Sequence, residues 1–105
     1  MNTFDCIVVG AGMAGCSAAI NMARAGYSVA LIDKEYICAS ICDGYDVDNY
    51  IGMSEMSGKE IANNLEQTIS HLSYMIRVVH AEVIAIDQIN HNGCPFRIIL
   101  NNNEV

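Results

Sequence analysis

The stretch Ile7-Val8-Val9-Gly10-Ala11-Gly12-Met13-Ala14-Gly15 decides the fold, because an apolar run breaks there directly into the spacing G-x-G-x-x-G. Each glycine answers a physical need. Gly10 lets a strand turn tightly into a helix, Gly12 puts no side chain in the way of a pyrophosphate, and Gly15 lets the helix pack close to the sheet. A diphosphate can then rest on backbone N–H groups at the positive end of the helix macrodipole without a cationic side chain. None is offered, since neither Lys nor Arg occurs between Met1 and Ala23.

Three glycines are weak evidence in isolation, because glycines gather in turns for many reasons. Their surroundings carry the argument. Phe4 to Val9 is a hydrophobic run suited to a strand buried on both faces, and Ala14 to Ala25 is rich in helix formers and closes at Gly26, as a helix C′ position prefers. Ser28 to Ile32 supplies a second apolar strand ending in Asp33. That residue stands about 20 positions beyond the glycines, where a carboxylate accepts hydrogen bonds from ribose hydroxyls. A carboxylate also repels a 2′-phosphate and no arginine stands nearby, so FAD or NAD is expected in preference to NADP. The competing reading is a buried βαβ unit with incidental glycines and a solvated Asp33.

Working onward, Lys34 to Tyr50 shows no sustained period of 2 or 3.6 and reads as a loop. Ser57-Gly58-Lys59-Glu60 has the S-x-x-E spacing of a capping box, with Ile61, Leu65, Ile69 and Leu72 at helical spacing behind it, so a second helix is predicted over Gly58 to Leu72. Ile76 to His80 reads as a third parallel strand. Val83 to Ile86 and Phe96 to Leu100 read as a hairpin around Asn90-His91-Asn92-Gly93, and Asn101 to Val105 as a further turn. The order β-α-β-α-β is one half of a doubly wound α/β sheet of Rossmann type. Its parallel strand order is 3-2-1, with an antiparallel β appendage, and the sheet is expected to be truncated at the C-terminal side.

The chain of 105 residues fits one nucleotide-binding domain covering 1–105. A net charge of −7 and a pI near 4.6 argue against nucleic acid and anionic membrane surfaces, which need clustered Lys and Arg. Hydrophobic residues make up 52% and charged residues 16%, which suits a covered parallel sheet and leaves surface for a partner. Asp5, Asn21 and Arg24 interrupt the N-terminal apolar region, so neither a signal peptide nor a membrane segment is expected. Five cysteines, an odd number without a secretory signal, imply reduced thiols and a cytoplasmic location, with Cys6 and Cys16 packing in strand and helix.

Two further segments carry a family resemblance. Gly10-x-Gly12-x-x-Gly15-x-x-x-Ala19 with Gly26 and Asp33 looks like the FAD version of the fingerprint. Val47-Asp48-Asn49-Tyr50-Ile51-Gly52, followed by Ser57-Gly58-Lys59-Glu60-Ile61, resembles the V-E-N-Y-P-G and S-G-x-E-L segments of thioredoxin reductases and their relatives. The resemblance runs along essentially the whole chain but matches only the N-terminal part of that family's FAD domain. It implies that Gly10, Ala11, Gly12, Ala14 and Gly15 wrap the FAD diphosphate and that Asp33, with Lys34 beside it, holds the adenosine ribose. It also implies that Asn49 lies toward the flavin and that Val83 meets adenine through its backbone. Met13 and Ile51 stand where the family has proline, and Cys38-Ala39-Ser40 where it has G-G-Q.

A thioredoxin reductase cycle also needs a second glycine fingerprint for NAD(P)H, a C-x-x-C pair and a C-terminal flavin-covering segment. The sequence contains none of them. The expected function is therefore the FAD-binding portion of a thioredoxin reductase-like flavin oxidoreductase, with NAD(P)H as electron donor only in a full-length relative. The alternative is a non-catalytic nucleotide-binding or interaction module left from such a reductase. The edge beside the first strand is expected to lack its neighbour, favouring a homo-oligomer or a missing-domain partner. Cys38 and Cys42 are either a redox pair or two unrelated thiols. His71, His80 and His91 lie apart on a helix end, a strand and a turn, so no metal site is expected. Asp43, Asp46, Asp48 and Glu55 read as a solvated loop, and Met22, Met53, Met56 and Met75 as core filler.

Overall fold

Two helices lie against one face of a three-stranded parallel sheet and a long hairpin lies against the other. The computed structural model describes residues 3–35, 46–47, 56–91 and 93–101. Strand β1 (Cys6–Val9) turns at the glycines into α1 (Met13–Arg24), which returns to β2 (Val29–Asp33). Two short strands, β3 (Asp46–Val47) and β4 (Met56–Ser57), precede α2 (Gly58–His71). The chain then forms β5 (Ile76–His80), β6 (Val83–His91) and β7 (Cys94–Leu100). The parallel sheet has the order β1-β2-β5, the predicted 3-2-1 arrangement, and β1 is an edge strand among the described residues.

The end of α1 shows how local sequence sets an element boundary. Gly26 takes φ +95°, its N–H donates to the Ala23 carbonyl at 3.0 Å, and the Tyr27 N–H donates to Met22 at 3.1 Å. These are the two bonds of a Schellman motif, and the left-handed residue they need is the glycine at C′. At the start of α2, the helix begins directly after Ser57, where the capping spacing puts it.

Strand register sorts the sheet's side chains. Cys6, Val29 and Ile76 are neighbours across the strands, as are Val8, Leu31 and Val78, and alternate residues point to opposite faces. Toward the helices, Val29, Leu31 and Ile76 join Cys16, Ala19, Ile20 and Ala23 of α1 and Ala62, Ile69 and Leu72 of the second helical segment in one core. Met22 and Met75 pack at its margin, as their reading as filler requires. On the opposite face, Ala30 and Ile32 pack with Ala81, Ile98 and Leu100, flanked by Phe4, Val79 and Val83.

Three expectations need correction. The first strand is not buried on both faces: Ile7 is 37% and Val9 53% exposed, because the hairpin core draws on β2 and β5 and leaves the outer face of β1 bare. The segment from Lys34 to Tyr50 is not all loop, since β3 within it pairs antiparallel with β4. A two-residue strand is too short to show a period. The hairpin is also longer than its apolar runs, with Asp87 opposite Arg97 and Gln88 opposite Phe96, and His91 belongs to the strand, opposite Cys94. Asp87 and Arg97 form a solvent-facing ion pair at 3.4 Å, where hydrophobic periodicity has nothing to report. Asn90 at φ 49° and Gly93 at φ 78° make the reversal.

Candidate functional site

The carboxyl ends of β1, β2 and β5 converge on the glycine turn, which is where an open α/β sheet binds its ligand. Gly10 leaves β1 with φ +101°, a conformation that a Cβ would strain, and its N–H donates to the Ile32 carbonyl at 2.7 Å. Ladder pairing is thereby carried past the last strand residue. Gly15 has a packing reason instead. A Cβ built there would overlap the Gly10 carbonyl oxygen and lie 3.4 Å from Val8 Cγ1, so α1 crosses the strand at a distance only glycine allows.

Gly12 contrasts with both. A Cβ at Gly12 meets nothing within 4 Å, so the space beside it is open. Gly12 is the N-cap of α1 and offers no capping side chain, and the first turn carries no acidic residue. The opening N–H groups of the helix, from Met13 to Gly15, therefore have no intrahelical acceptor and no capping side chain. Met13 contributes an N–H that a proline in its place would lack. An unobstructed space beside a row of uncapped N–H donors at a helix N-terminus fits a diphosphate.

Asp33 ends β2 beside this turn, and its carboxylate is already engaged. Oδ2 accepts from the Ala11 N–H at 2.6 Å and Oδ1 accepts from the Glu35 N–H at 2.8 Å. Each carboxylate oxygen has a second lone-pair direction, so the group can still take ribose hydroxyls while holding the glycine turn. Ala11 is bonded on both its backbone groups. Its N–H donates to Asp33 and its carbonyl accepts from the buried Cys16 thiol at 3.4 Å, which fixes the shape of the turn. Ala14 lies exposed on the first turn of α1, and Lys34 is exposed immediately after Asp33.

Val83 opens β6 three residues after His80, and the intervening Ala81 N–H donates to the Asp33 carbonyl at 3.0 Å. This bond ties the segment leading to Val83 to the same sheet end as the glycines. Asn49 lies outside the described residues, as do Cys38 and Cys42. A residue the sequence did not point to is His80. It is the register partner of Asp33, and its Nε2 lies 2.7 Å from the Lys34 carbonyl oxygen. The only signal available was its position at a strand end. Among the described residues, Cys6, Cys16 and Cys94 form no disulfide. Among the described residues no helix is long and apolar enough to cross a membrane.

Comparison with known proteins places this geometry. The family described as FAD binding domain matches residues 5–81. A thioredoxin reductase of Ureaplasma parvum is 28% identical over 85 residues, covering 81% of this chain and 28% of that protein. The thioredoxin reductase of Bacillus subtilis is 34% identical over 62 residues, covering 59% of this chain and 20% of that protein. Among solved structures, the thioredoxin reductase of T. acidophilum superposes with a TM-score of 0.78 at 32% identity, over 95% of this chain and 31% of that one. The chain therefore spans about a third or less of the length of these relatives. With a glycine cradle that fits a diphosphate and a carboxylate at the end of β2, the chain belongs to the FAD binding domain family, in its thioredoxin reductase-like form.

Proposed function

We propose that this chain holds the adenosine diphosphate half of FAD across Gly10–Gly15 and Asp33 within a thioredoxin reductase-like flavin oxidoreductase. The observation that carries the reading is the Asp33 carboxylate, bonded at once to the glycine turn through Ala11 and to its own turn through Glu35. Gly12, Ala14 and Gly15 present backbone to the diphosphate, with Met13 beside them, and Gly10 and Ala11 set the shape of the turn. Asp33 takes the adenosine ribose with Lys34 adjacent, Val83 lies toward adenine, and Asn49 toward the flavin. Bound FAD supplies hydride and electron transfer, with NAD(P)H as the donor in a complete reductase. Cys6, Cys16 and Cys94, outside any disulfide, suit a reducing compartment such as the cytoplasm.

The exposed outer face of β1, an edge strand among the described residues, supports the partner side of the same reading. Ile7 and Val9 there are apolar and exposed, and an unpaired edge strand recruits another strand. Residues 1–105 act as a single nucleotide-binding domain that associates with a second copy or with a domain of the reductase type.

Titration of the purified chain with FAD and with ADP, followed by calorimetry, tests the cofactor site. Asp33→Asn replaces one acceptor oxygen by a donor facing a backbone N–H and should weaken ADP binding by about 1.5–3 kcal/mol, the range for a charge-assisted hydrogen bond. An unchanged affinity would remove Asp33 from the site.

A further inference from the structure

We propose that His80 is a positioning residue for the Asp33 carboxylate, and through it for the adenosine ribose; the inference rests on the reading of Asp33 given above. β2 and β5 run side by side until Asp33 and His80, their last register pair. There the backbone ladder makes one more bond, from the Ala81 N–H to the Asp33 carbonyl at 3.0 Å. Among the described residues, no strand pairs with the next carbonyl, that of Lys34.

The His80 side chain takes that place, with Nε2 2.7 Å from the Lys34 oxygen. A carbonyl only accepts, so Nε2 carries the hydrogen and donates. The Asp33-Lys34-Glu35 turn is consequently pinned on two sides. His80 holds its middle carbonyl, and the Glu35 N–H holds Asp33 Oδ1 at 2.8 Å. Oδ2 is held at 2.6 Å by Ala11. With both oxygens tethered, the carboxylate has one orientation toward the ribose. Without His80 the Lys34 carbonyl is free to turn toward water, Glu35 moves with it, and Oδ1 loses its backbone donor. His80 touches no ligand in this scheme and acts only through the turn.

The test uses ADP and 2′,3′-dideoxy-ADP as probes of the full chain, so that the ratio of their dissociation constants isolates the ribose hydroxyls. In the wild type ADP binds more tightly. His80→Ala should weaken ADP roughly five-fold, within the range for one lost hydrogen bond, while leaving dideoxy-ADP nearly unchanged, so that the ratio falls toward one. His80→Gln carries an amide nitrogen the same number of bonds from the backbone as Nε2 and should restore the ratio. A merely structural loss would weaken both probes alike and would not be rescued. A ratio in His80→Ala equal to that of the wild type overturns the proposal, as does equal weakening of both probes. A wild-type ratio of one removes Asp33 from the ribose site and the proposal with it. Circular dichroism of both variants verifies that the exposed position tolerates the change.

Discussion

The two faces of the parallel sheet are built from the same kinds of residue and end in different states. Toward the helices, Leu31 and Val29 are 0% exposed, packed in one core with Cys16, Ala19 and Ala23 of α1 and Ala62 and Ile69 of α2. Away from them, Val9 remains 53% exposed although its register neighbour Ile32 is buried at 4%. Adjacent β-branched residues on one face thus differ only in whether the hairpin reaches them. Hydrophobicity makes burial favourable, but burial needs a covering element, and on the helix side too Val78, the register neighbour of buried Leu31, remains 49% exposed.

Stability measurements can break this contrast. Leu31→Ala removes side-chain volume from the helical core and should cost about 3–4 kcal/mol, read as a fall in the urea midpoint. A cost under about 1 kcal/mol would mean that this core is loosely packed. Gly15→Ala should cost about 2–3 kcal/mol, since the obstacle is the Gly10 backbone carbonyl and no side chain can move aside. It should also weaken FAD binding by displacing the start of α1. Val9→Ala on the bare face should change stability by less than about 0.5 kcal/mol. Its informative readout is assembly: if β1 is an association surface, Val9→Lys should raise the monomer fraction seen by light scattering. A wild-type monomer at every concentration would sink that use of the face.

How legible each part was in the sequence follows from the range of the interactions behind it. The α1 boundary at Gly26, the start of α2 after Ser57 and the span of β5 from Ile76 to His80 were readable because each depends on residues within a turn or on a short apolar run. The cradle was readable for a related reason. Gly10 and Gly15 are required by backbone conformation and close approach, which no other residue satisfies, so they leave a mark in the chain. The polar continuation of the hairpin and the pair β3 and β4 left no such mark.

What the sequence by itself determined is the βαβ order, the glycine turn and the carboxylate after β2, since these are local or follow from the handedness of the crossover. Only the tertiary structure decided that the Ala11 N–H is committed to Asp33, that His80 reaches the Lys34 carbonyl 46 positions away, and that Ile7 and Val9 stay in water. The reason is physical. Those outcomes depend on which strand ends register side by side and on how far the hairpin extends over the sheet, and neither is encoded in any single segment.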